Sequence, residues 1–246
     1  MAKMTLDELV SQLGKVYGSG LRAAVLYGST AAGEHIAKRS DYNVLVLVDA
    51  LDVDTLEREA SVARAWAEAG NPPPLMLTVE EWRSSADIFP MEYADILGRH
   101  QVLHGTLPSD GIRVDREHLR LQAEHEAMGK LLALRQGVLA SGGDRKRLIE
   151  LLERSLSTFM VIFRATLRLH GEEPPTDYEA LSTRVGELAG LDSTPFVRVV
   201  RHVRRNAPLA ASDAPGVLAG YLAGVQRLVA HIDGLGGRGV SPHPRA

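Results

Sequence analysis

Cysteine is absent from the 246 residues of the chain. Disulfides, thiolate metal sites and a thiol nucleophile are therefore excluded. A charge excess is also lacking: 28 Lys and Arg stand against 31 Asp and Glu, a formal net charge of −3. That balance makes no broad electrostatic case for DNA, RNA or an anionic membrane surface, so nucleic acid is not an expected partner. No apolar run approaches the roughly 18 residues that a membrane span needs, and no membrane association is expected. The nine histidines are scattered, with no HExxH or other close metal spacing. The opening MAKMTLDE is not the basic-then-apolar layout of a secretory leader, and together with the missing cysteine it makes the cytoplasm the expected location. No internal repeat is visible.

What is present suffices for a sizeable core: 45 % of residues are hydrophobic, and the length suits one large domain or two ordinary ones. Two textures follow one another along the chain. Over the first hundred residues, short apolar runs alternate with helical patterns. Leu6–Tyr17 carries Leu6, Leu9, Val10 and Leu13 on one stripe, which predicts a helix. Leu21–Tyr27 reads as a buried strand that Gly28-Ser29 breaks, and residues 30–38 as a helix. Asn43–Val48 (NVLVLV) is a continuous β-branched run, the pattern of a strand covered on both faces. Residues 53–69 are helical and stop at Asn71 and three prolines; 75–79 is a further strand and 80–85 a short helix. Residues 89–103 fit a helix or a strand, closing with a short strand at 101–103. From about Val114 the pattern is helical throughout: 116–140, then Arg145–Leu169 behind an Asp144 N-cap, Tyr178–Ala189, 195–205 and 215–232. The Gly/Pro-rich residues 234–246 read as a frayed tail.

The chemistry concentrates in residues 26–49, LYGSTAAGEHIAKRSDYNVLVLVD. A strand ends in Gly28-Ser29, a helix starts there, and Ser40-Asp41-x-Asn43 leads into the next strand. Gly28 lets backbone approach a ligand closely. Ser29 and the free amides of a helix start can hold a phosphate, with Lys38 and Arg39 as candidate neutralising charges. Asp41, at the mouth of a strand, can hold Mg²⁺ through oxygen. Such a site suits transfer of a nucleotidyl group from a triphosphate, a reaction in which metal ions clamp the attacking and leaving oxygens.

This stretch resembles the nucleotidyltransferase superfamily related to DNA polymerase β, and within it the small bacterial branch that includes aminoglycoside nucleotidyltransferases. The resemblance rests on Gly28, Ser29 and Asp41, on Ala32-Gly33 after the serine and on Ser40 before the aspartate, and covers about residues 20–105. It implies Mg²⁺ and a nucleoside triphosphate as cofactor and substrate. The segment 78–105, with REHLRLQAEHEAMGKLLALRQ downstream, further resembles a group of bacterial proteins that join this domain to a helical C-terminal half, where Ser-Asp-x-Asn is the expected form. In related aminoglycoside enzymes a helical-domain glutamate serves as base, which makes Glu124 the corresponding candidate here.

The departures from the family pattern bear on mechanism. Asn43 occupies the second carboxylate position; its amide oxygen can ligate Mg²⁺ but brings no charge. The strand 75–79 (LMLTV), where the third acid is expected, offers only Thr78. One carboxylate stands where the family uses three, which weakens binding of a hard cation. Glu92 and Asp95 are candidate replacements, with pairing to Arg99 as their ordinary alternative. Glu124 and Glu126 likewise have ordinary i,i+4 partners in Arg120 and Lys130. His118 and His125 share a helix face, and Arg135 and Arg164 are either salt-bridge partners or an anion-pocket lining. Arg113 with His118, and Arg164 with His170, match a loose ribonuclease spacing known from toxin–antitoxin modules. The basic run at 198–205 (RVVRHVRR) reads as a solvated helix face.

The expected fold class is α+β: a nucleotidyltransferase-type mixed sheet with helices over residues 1–108, an all-α bundle over 109–235, a flexible tail over 236–246, and ligand in the cleft between the domains. The expected function is transfer of a nucleoside monophosphate from NTP to a small-molecule or protein acceptor across a degenerate metal site. The alternatives are an impaired nucleotide-binding or regulatory protein, or a toxin–antitoxin-type module. Pairing of the chain with a second copy is left open.

Overall fold

The β-branched run Asn43–Val48 (β2) is central in a mixed four-stranded sheet, between Leu75–Thr78 (β3) and Leu21–Tyr27 (β1), with His100–Gly105 (β4) beyond β1. Both faces of β2 are covered, as its unbroken hydrophobicity requires, and Val44 to Val48 are all buried. The computed structural model describes residues 3–28, 31 and 42–236. The helix expected at 30–38 lies outside them except for Ala31, as does most of the tail. The chain divides into two units, Met1–Val114 and Asp115–Ala246. The α+β class read from the sequence is the class observed: a mixed sheet with helices, then an all-helical unit.

In the first unit β1 runs antiparallel to β2 and β4, while β3 runs parallel to β2. Leu6–Tyr17 (α1) and Val53–Glu68 (α2) supply Leu9, Leu13, Val62 and Trp66 to one face of the sheet, where they meet Leu26, Val44, Val46 and Val48. Val79–Ser84 (α3) and Pro90–Gly98 (α4) cover the other face, with Trp82, Tyr93 and Ile96 against Ala23, Val25, Leu45 and Leu47. The ambiguous stretch 89–103 resolves into α4, opened by Pro90 at its first turn, and then β4. The last residue of β4, Gly105, has φ +68°, and a Cβ there would lie 1.9 Å from the Arg22 carbonyl, so only glycine lets β4 pair to its end with β1.

The second unit holds Arg116–Ser141 (α5), Arg145–Leu169 (α6), Tyr178–Ala189 (α7), Thr194–Val203 (α8) and Ala214–Gly234 (α9). Asp115, Asp144 and Asp177 cap α5, α6 and α7 by accepting from first-turn amides. The core is aromatic: Phe159 and Phe163 of α6 meet Phe196 of α8, and Tyr221 of α9 lies 4.3 Å from Phe196 by ring centres. Among the described residues, no helix is long and apolar enough to cross a membrane.

Candidate functional site

β1 ends where β2 begins, and the antiparallel register pairs Tyr27 with Asn43 on one side and with His100 of β4 on the other. Gly28 follows with φ +80°, and a Cβ on it would stand 3.0 Å from Asn43 Nδ2. Glycine thus lets the chain leave the strand while the Asn43 carboxamide lies close to its backbone. One strand pair thereby brings the Gly28 end and the Asn43 end of the motif together. Ser29, Lys38, Arg39 and Asp41 lie outside the described residues. The residue after Asp41 is anchored: the Tyr42 amide donates to Asn71 Oδ1 at 3.1 Å, and its ring lies 6.1 Å from that of Trp66.

Directly paired strand residues project to one face, so Asn43 shares with Tyr27 the face that α3 and α4 cover. Burial raises the Tyr27 phenol pKa, and the negative charges of Glu92 and then Asp95 raise it further. Both acids come from α4, and Asp95 is itself buried. The helix is held firmly. Tyr93 stacks on Trp82 with ring centres 4.1 Å apart and donates to the Trp82 carbonyl at 2.6 Å. Burial pushes the Tyr93 pKa up to about 12, so the phenol keeps its proton and remains a donor. Trp82 Nε1 donates in turn to the Pro108 carbonyl at 2.7 Å. A phenol, a carboxamide and two carboxylates therefore collect at one end of the sheet, on one face.

Nothing in the residue spacing singles out Tyr27. The usable signal is an aromatic closing a strand just before the motif glycine. Thr78 has a local duty: its hydroxyl accepts from the Glu81 amide at 3.1 Å, while the Glu81 carboxylate accepts from the Thr78 amide at 2.7 Å. The polar side chain of β3 is thus used as the cap of α3, and the strand carries no acid. Among the described residues, no group of three or more Asp, Glu or His stands together as a metal site.

The helical unit places its candidates separately. Glu124 accepts from Arg120 Nη1 at 2.5 Å, and Glu117 holds the same guanidinium at 2.7 Å, on a side chain only 9 % exposed. Glu126 reaches Lys130 at 3.9 Å. His118 and His125 are exposed on α5, His118 lying 4.0 Å from the capping Asp115. His170 Nε2 and His231 Nε2 stand 2.9 Å apart, one ring donating to the other.

The fold of the chain, a mixed four-stranded sheet followed by a helical unit, is similar to that of a solved enzyme. In fold, the chain matches an adenyltransferase. The match is to spectinomycin adenyltransferase from Enterococcus faecialis, solved with ATP and spectinomycin: TM-score 0.55, 10 % identity, 92 % of this chain and 98 % of that chain. The correspondence with the adenyltransferase therefore extends over both units, not the sheet unit alone. No protein-family model and no curated protein matches the sequence.

Proposed function

We propose that the chain binds a nucleoside triphosphate at the Gly28 end of the sheet, as a nucleotidyltransferase-type protein. The observation that carries this reading is the Tyr27–Asn43 strand pair, which sets the left-handed Gly28 against the Asn43 carboxamide on an adenyltransferase fold. Gly28 and Ser29 would receive the phosphates, with Lys38 and Arg39 offsetting their charge. The solved adenyltransferase was obtained with ATP, which makes ATP the first triphosphate to try.

The donor set does not fit the two-metal form of transfer. Asn43 brings an amide, β3 brings no acid, and no three-residue acid or histidine cluster exists among the described residues. A single Mg²⁺ that arrives already ligated by phosphates asks less, since such ions are held by one or two carboxylates and keep several waters. Asp41 and Asn43, with Glu92 as a further oxygen donor, fit that lighter demand. The ion would supply charge neutralisation at the phosphates. Transfer to a small-molecule or protein acceptor then requires a base, for which Glu92 and Glu124 are the candidates; without one, the chain is a nucleotide-binding or regulatory protein. The lack of an acidic residue in β3 favours that second reading.

Calorimetric titration with ATP, with and without Mg²⁺, tests the proposal on the native chain, Asp41→Ala and Glu92→Gln. Mg²⁺-dependent binding that Asp41→Ala weakens at least tenfold is the expected result. Binding indifferent to both Mg²⁺ and Asp41 would overturn the metal assignment, and no binding at all would overturn the nucleotide site.

A further inference from the structure

Helix α5 is apolar on two opposite sides. Its inner side buries Leu119, Ala123, Ala127, Leu131 and Leu134. Its outer side presents Leu121 (50 % exposed), Met128 (43 %), Leu132 (48 %) and Leu139 (82 %). At 3.6 residues per turn these four fall within about 40° of one another, on a stripe roughly 27 Å long. Their spacing is that of a coiled-coil seam, and His125 and Arg135 fill the intervening seam positions. Large apolar side chains in a row on an exposed helix mark an interaction surface.

We infer that this stripe pairs with the same stripe of a second copy of the chain, in antiparallel orientation. The order of side chains selects the occupant. Leu121 and Leu139, His125 and Arg135, and Met128 and Leu132 are each equally far from Lys130 in sequence. A two-fold axis at that level sets Leu121 against the partner's Leu139 and Met128 against the partner's Leu132, twice over, as an isologous interface demands. Charge agrees with this orientation. Arg135 comes level with the partner's His125 and beside the partner's Glu124, which flanks the stripe on the same side as Arg135. The parallel alternative would set Arg135 against Arg135 and His125 against His125, which is unfavourable. Gly129 lies exposed on the flank of the stripe, and the space where its side chain would project is open, so a second helix can approach closely on that side.

The test uses the full chain. Sedimentation over a wide concentration range should show association of the 26.7 kDa chain into a dimer. The double substitution Met128→Glu with Leu132→Glu should leave it monomeric with an unchanged circular dichroism melt. Should that variant fold poorly, Leu139→Lys, at the most exposed position of the stripe, should weaken association at least tenfold. The cysteine-free background permits a direct reading of orientation. Mixed Leu121→Cys and Leu139→Cys chains should oxidise to the mixed disulfide in preference to either homodisulfide. A native chain that stays monomeric, or a dimer that survives both substitutions, would overturn the proposal; preferential homodisulfides would overturn the antiparallel orientation.

Discussion

At Gly28 an added methyl group would meet a side-chain amide that can turn aside; at Gly105 it would meet a backbone carbonyl that cannot. Gly28→Ala should therefore cost about 1–2 kcal/mol, mainly for the left-handed backbone, and Gly105→Ala about 2–5 kcal/mol once overpacking is added. Chemical denaturation of the two variants checks both the values and their order. Gly28 was legible from the motif. Gly105 was not, because its constraint comes from the approach of Arg22 across the sheet, and that approach depends on the register of β1 with β4. The same distinction separates Asn43 from Tyr27. Asn43 is visible as a departure from a carboxylate pattern. Tyr27 gains its significance from the pairing of β1 with β2 and the placement of α4 above them, neither of which local spacing encodes. Glu92 and Asp95 lie between these cases: their three-residue spacing behind Pro90 predicts a shared helix face, but not the phenol that they face.

Elements were more legible than contacts. Leu6–Tyr17, Leu21–Tyr27, Asn43–Val48, Arg145–Leu169 and Tyr178–Ala189 have the bounds that periodicity and caps predict. The third strand ends one residue early, at Thr78, because Thr78 caps α3 and Val79 becomes the first residue of that helix. Thr78→Ala should cost about 1 kcal/mol, measured as a shift of the denaturation midpoint. Four helices are capped by an aspartate side chain, and amide or hydroxyl donors in the first turn hold Asp52, Asp115, Asp144 and Asp177 below the usual carboxylate pKa. A pKa lower in the folded than in the unfolded state makes the folded form the weaker proton binder, so this stabilisation is present above about pH 4 and lost as the pH falls through the folded values. Asp144→Asn, which can still cap, should lower the melting temperature less than Asp144→Ala at neutral pH, and both differences should shrink in acid.

For the molecule as a whole, acid response should also appear nearer neutrality. Burial lowers the His231 pKa from 6.5, and His170 and Arg227 lower it further. The Nε2–Nε2 contact needs one ring to accept, which a doubly protonated pair cannot do. The folded chain thus binds fewer protons than the unfolded one below about pH 6.5, so stability is full above that value and declines as the pH drops through it. His231→Gln should flatten the melting-temperature profile between pH 7 and pH 5, and a profile as steep as that of the native chain would assign the acid sensitivity to other groups. Each of the two units has its own core, and one feature of those cores determines how their unfolding can be followed. The two tryptophans both lie in the first unit, Trp66 under one face of the sheet and Trp82 under the other, with none among the five helices of the second unit. Intrinsic indole fluorescence is therefore a built-in probe of the sheet alone, read from both sides at once, while far-ultraviolet ellipticity at the helical minimum is weighted toward the second unit. Melts followed by the two signals would superimpose only if the units unfold together, and any separation between the curves would measure how independently each half holds its structure.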